Sequence, residues 1–223
     1  MNGGIRDLFG RKGGMMRKRA CPALLAAVAA FFLLTVSARG ELSGFGIKVG
    51  LARANIFGGG IFDQRYRTGF AGGAFITWDL GPRFALQPEI LWVRKGSTVS
   101  DASGLESYRE TLSLDYLEIP ILAKFRFPLI AAVRYHVFTG PSPAFRLKAG
   151  VKVEHGGVTE IEIPKGIRKT DLGWIAGAGV EVPAGGIRIS LDLRAAWGLM
   201  SLAAESVYRV RNRAICVFIG AAF

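Results

Sequence analysis

The side chains able to do chemistry are few and scattered. His136 and His155 have no C-x-x-C or H-x-x-x-H spacing around them, so neither a metal centre nor a cofactor is expected. A serine hydrolase needs serine, histidine and an acid to converge. His155 and the candidate serines Ser97, Ser100, Ser103, Ser107 and Ser201 are spread over separate polar stretches, which reads as solvated loop chemistry. No glycine-rich phosphate loop is present. Cys21 precedes an apolar run near the N-terminus, which leaves Cys216 as the one thiol of an exported chain and forbids an internal disulfide. Glu89 and Glu118 resemble a catalytic carboxylate pair in residue type. Their setting, among Lys and Arg at the same alternating positions, makes them salt-bridge partners instead.

That setting is clearest in Leu114–Phe127, LDYLEIPILAKFRF. Leu117, Ile119, Ile121, Ala123 and Phe125 share one parity. Tyr116, Glu118, Pro120, Leu122, Lys124 and Arg126 share the other. A period of two is that of a strand, not a helix. One parity carries no charge over about ten residues, the length a tilted strand needs to cross a bilayer.

The same division runs through eight segments, at about 43–54, 69–79, 83–95, 112–127, 134–147, 170–182, 187–198 and 213–223. The uncharged parity is assigned to lipid. The opposite parity holds Lys48, Lys124, Arg126, Arg146, Arg188 and Arg194 against Glu89, Glu118, Asp171, Glu181 and Asp192. Six bases meet five acids, so a nearly neutral, salt-bridged lumen is expected. Small residues such as Gly46, Gly140, Gly177, Gly179 and Gly220 leave room for the long charged ones. An eight-stranded barrel is only wide enough for side chains to fill it.

The connections support closure. Long polar stretches (55–68, 96–111, 148–169 and 199–212) alternate without exception with short ones (80–82, 128–133 and 183–186). Outer-membrane barrels have short periplasmic turns and long external loops. With directions assigned this way, Phe45, Phe84, Phe125, Tyr135 and Phe223 fall near the periplasmic end, and Trp92, Trp174 and Trp197 near the outer end. Two aromatic girdles flanking an aliphatic band mark the two membrane interfaces. Pro88 and Pro120 each delete a ladder donor and fall nearly symmetrically about the second long loop, so they are expected close together in that hairpin.

The N-terminus reads as an address. Arg17-Lys18-Arg19 precede the apolar run 22–36, and Val36-Ser37-Ala38 offers small residues for cleavage after Ala38. Residues 1–38 are therefore assigned to an N-terminal extension and secretory signal, with translation starting as late as Met15 or Met16, and residues 39–223 to the barrel. The formal net charge of +12 falls to +7 when the six bases and one acid of residues 1–38 are removed. A nucleic-acid partner is not expected from that balance.

The blocks FALQPEILWVRKG (84–96), LDYLEIPILAK (114–124), FTGPSP (138–143) and DLGWIAGAGVE (171–181) resemble the outer-membrane β-barrel family often labelled porin-like or PorT-like. Trp92 stands where that family often has tyrosine. The resemblance implies an all-β fold, an eight-stranded antiparallel up-and-down transmembrane barrel preceded by a signal peptide. It also implies outer-membrane lipid as surroundings and the barrel-assembly machinery as a partner, through the strand ending at Phe223. It implies no enzyme. The expected function is a non-enzymatic barrel with a structural, loop-mediated binding or secretion-accessory role. A small solute channel is the alternative, followed by a secreted lipocalin-type barrel and a barrel hydrolase.

Overall fold

A computed structural model describes residues 40–58, 64–101, 108–128, 132–155, 158–162, 166–203 and 210–223. The signal-peptide reading of residues 1–38 lies outside the described residues, as do Ser103 and Ser107 and the side chains of Ser100 and His155.

Alternating apolar residues, β-branched and aromatic types and sparse helix formers make strands here. The described chain is one antiparallel sheet of β1 (Glu41–Gly58), β2 (Gln64–Asp79), β3 (Phe84–Asp101), β4 (Tyr108–Glu118), β5 (Ile121–Arg126), β6 (Arg134–His155), β7 (Val158–Glu162), β8 (Thr170–Ala184), β9 (Ile187–Gly198) and β10 (Val210–Ala222). Their order is β2-β1-β10-β9-β8-β6-β4/β5-β3, and β2 also pairs with β3, which closes the sheet into a barrel. β4 and β5 are two halves of one span, and β7 only folds back on the end of β6. The ten strands therefore make eight crossings.

Pro120 is what divides β4 from β5. It has no amide to donate, but its carbonyl still accepts from Glu89 N at 2.9 Å. Pro88 faces Ile121, beside that break, and Ile119 N donates to Pro143 O at 2.8 Å. At the opposite extreme, β8 and β9 meet in a two-residue turn, Gly185-Gly186, with φ of 58° and 91°. Both angles are left-handed, as a tight hairpin with matching twist requires.

The strands outrun the segments expected from sequence. β6 has 22 residues where about 9–11 cross a bilayer. Much of what read as long loops is sheet: β3 and β4 pair out to Asp101–Tyr108, and β4, β6 and β7 continue to Tyr108, His155 and Val158. Backbone hydrogen bonds hold these hairpins after the apolar alternation on the outer face has ended. A bulge between Asp115 and Tyr116 reverses the facing of β6, so Val151 and Val153 are buried where Lys152 is exposed.

Candidate functional site

The interior is layered. Nearest the turns lies an ionic layer. Glu89, from β3, accepts from Lys48 Nζ of β1 at 2.7 Å and from Arg194 Nη1 of β9 at 2.8 Å. Lys48 also donates to Asp192 at 3.1 Å, and Gln87 Nε2 donates to Glu89 at 2.7 Å. His136 Nε2 lies 2.8 Å from Asp192 Oδ1. Lys124 pairs with Glu181 and donates to Gln87 Oε1 at 3.2 Å. These side chains are nearly solvent-free, so each charge depends on its partner for the solvation it has lost. Aromatic rings complete the packing: Lys48 Nζ is 4.6 Å from the Phe75 centroid, and Arg194 Cζ is 4.4 Å from that of Phe218.

Glycines make space for this layer. A Cβ at Gly179 would sit 2.4 Å from Asp192 Oδ1 and 2.6 Å from His136 Nε2. One at Gly177 would sit 2.5 Å from the Phe138 ring.

An apolar layer follows, with Leu91, Val93, Leu122, Phe138, Ile175 and Phe218 among its members. Above it comes a second polar set. Lys95 Nζ and Glu118 Oε1 are 2.5 Å apart, and Asn212 Nδ2 donates to Asp171 Oδ2 at 3.3 Å and to Tyr116 OH at 3.4 Å. A cavity of about 10 Å³ lies against Lys95, Glu118, Ser142 and Asp171, with room for about one water. The outer mouth is then filled by a second apolar cluster that includes Ile56, Leu112, Leu114, Val151, Ile167 and Leu202.

Lys48, Glu89, Glu118, Lys124, Glu181, Asp192 and Arg194 are thus buried inside. Arg126 is buried too and pairs with Asp79 at 2.7 Å, at the turn end. Asp171 is half-buried in the upper polar set. Two assignments need correction. Arg146 donates to the carbonyls of Ile167 (3.0 Å) and Arg168 (3.1 Å), and Arg188 donates to Ser43 O (2.9 Å). Both are half-buried rim residues tying backbone, with no carboxylate partner among the described residues. Sequence reasoning left out Lys95 and His136, although both share the inward parity of their strands. The acids that meet His136 come from β8 and β9, a convergence no local pattern encodes.

The outer surface is apolar around the circumference. Phe45, Ile47, Val49, Phe70, Ile90, Val137, Leu191, Leu193, Val217 and Ile219 are exposed. Such a belt is untenable in water and normal in lipid. At the turn end Phe45 stacks on Phe223 at 5.6 Å and Phe84 meets Phe125 edge-on at 5.0 Å, with Tyr135 exposed nearby. At the other end Trp174 and Trp197 face each other across β8 and β9, and Trp92 is exposed on β3. Trp174 Nε1 donates to Thr139 Oγ1 at 2.9 Å.

Among the described residues no cluster of three His, Cys, Asp or Glu side chains could hold a metal ion, and no helix is long and apolar enough to cross a membrane. Ser97 is fully buried, while Ser201 Oγ accepts from Val210 N at 3.3 Å.

The chain belongs to the family of outer membrane protein β-barrel domains, whose pattern matches residues 38–204. It is an outer-membrane protein embedded in lipid through its strands. No curated protein sequence matches it. Among solved structures, it is similar to Neisserial surface protein A (13% identity, TM-score 0.46), covering 82% of this chain and 99% of that one. It is also similar to OprG of Pseudomonas aeruginosa (11%, TM-score 0.45), covering 82% and 98%. A third is Ail, the attachment invasion locus protein of Yersinia pestis (12%, TM-score 0.42), covering 82% and 100%.

Proposed function

We propose that this protein is a closed, non-enzymatic barrel that serves the envelope as structure and presents its external hairpins as a binding surface. The observation that carries the reading is the filled lumen: an ionic layer that bridges opposite walls, topped by an apolar cluster under the mouth. A solute path would have to break buried ion pairs and displace packed side chains. The hairpins formed by β3, β4, β6 and β7 stand beyond the apolar belt, with Lys152, Val158 and Ile161 exposed for contact.

Residues 1–38 act in this reading as an export signal removed after Ala38. In the same reading the barrel-assembly machinery recognises β10 through the exposed ring of Phe223. Liposome swelling with small sugars and amino acids tests the function. Vesicles holding the folded protein should swell no faster than empty ones, and solute-dependent swelling would replace this reading with a channel.

A further inference from the structure

The lipid-facing side carries charge in a narrow zone at the outer ends of the strands, and that charge is of two kinds. On β3 and β4, Arg94 forms a two-pronged pair with Asp115 at 2.7 and 3.0 Å, so it is neutralised where it stands. On β1, β2 and β10 the case is different. Arg53 and Arg213 both point outward and are exposed. Their guanidiniums lie 5.3 and 5.5 Å from the centroid of one ring, that of Tyr66. Neither has a carboxylate partner among the described residues.

Arg213 is anchored. Arg213 Nε donates to Asn55 Oδ1 at 2.6 Å and its Cζ lies 5.6 Å from the Phe57 ring. Asn55 is 3% exposed although its parity is outward, because Arg213 covers it. The bond through Nε leaves the two terminal nitrogens of Arg213 without a hydrogen-bond partner among the described residues. Two like charges beside one ring repel, and an anion bound next to them relieves that cost.

Height identifies the anion. Arg213 is in register with Trp197 on the neighbouring strand, and at a tilt of about 40° one strand step shifts height by only about 3 Å, so Arg213 lies within a few ångströms of the level of that outer tryptophan. Tryptophan rings lie at the headgroup level of a bilayer. An arginine fork matches phosphate oxygens in geometry and charge. We propose that Arg53, Arg213 and Tyr66 form an outward-facing site for the phosphate of a phosphorylated glycolipid headgroup in the outer leaflet. The proposal rests on the barrel orientation given above but not on the lumen being closed.

The probe is bis-phosphorylated lipid A, titrated into the folded full-length protein in neutral detergent, with its dephosphorylated form as reference and native mass spectrometry as readout. Wild type should hold lipid A at least tenfold more tightly than the dephosphorylated form. R53Q/R213Q should lose about that factor while keeping its heat-modifiable gel shift. R168Q/K169Q, with the same charge change on exposed side chains outside both this site and the hairpin binding surface, should stay within twofold of wild type. Equal binding of the two lipids by wild type overturns the proposal without need of any variant. So does an equal loss in R168Q/K169Q, which would mark a diffuse charge effect. Displacement of lipid A by millimolar inorganic phosphate overturns it too, because the site would then read free phosphate.

Discussion

Glu89 and Arg194 join diametrically opposite walls of the barrel: β3 and β9 are separated by three strands on one side, yet Oε2 and Nη1 lie 2.8 Å apart. Lys48, two strands from β3, holds the second oxygen of the same carboxylate at 2.7 Å. One acid thus compensates two buried cations from different strands. It also makes a rung across the lumen, and the packing above and below it follows from that placement.

Removing the carboxylate should therefore be costly. Glu89→Ala leaves Lys48 with Asp192 alone and Arg194 with its longer contact to Asp192 at 3.6 Å. A loss of about 3–5 kcal/mol in unfolding free energy is expected, measured by urea titration in lipid vesicles. Glu89→Met combined with Arg194→Met should recover most of it, because an apolar pair replaces an ion pair with little cost. A loss below about 1 kcal/mol for the single variant would mean that water reaches the site.

The lipid face should be sensitive to charge by depth. Leu193 sits mid-strand on β9, exposed and flanked by Ala178 and Val217. Leu193→Arg should cost about 2–4 kcal/mol in the same titration. Lys152→Ala, on an external hairpin, should stay within about 0.5 kcal/mol. Similar costs at the two positions would place the membrane boundary elsewhere.

The tryptophans offer a direct depth gauge. Variants keeping only Trp174 or only Trp197 should be quenched more strongly by lipids brominated near the headgroup than by lipids brominated at the chain ends. Stronger quenching from the chain ends would remove the outer girdle.

Phe223 should matter to assembly and not to the finished fold. Its backbone exchanges hydrogen bonds with Phe45 at 2.8 and 3.3 Å, while its ring is exposed. Deleting it is expected to reduce markedly the folded protein recovered from outer membranes, with refolding of purified protein in detergent unchanged. Normal recovery from membranes would exclude the terminal ring as a recognition signal.

The crossings were legible because lipid and lumen impose opposite chemistry on alternate residues. Ile47 and Lys48, or Leu193 and Arg194, declare their faces by type alone. The ends were not legible, since beyond the belt both faces of the hairpins tolerate polar residues. There only the inward positions keep a pattern, as in Leu112, Leu114 and Tyr116. The ionic layer was readable as a list of inward charges, but its pairing depends on closure, which brings β3 against β9. Arg146 and Arg188 show the limit of parity: it gives the face but not the depth, and both lie at rims where carbonyls are closer than acids. The arginines on Tyr66 are hidden in the sequence because the polar stretch 55–68 reads as a loop, whereas β2 begins at Gln64 and brings Tyr66 beside β1.

Single-channel recording of the wild-type protein in a planar bilayer tests the rung across the lumen most directly. A silent baseline is expected, with any openings confined to variants such as Glu89→Ala. Steady nanosiemens steps from the wild type would contradict a lumen closed by Glu89 and Arg194.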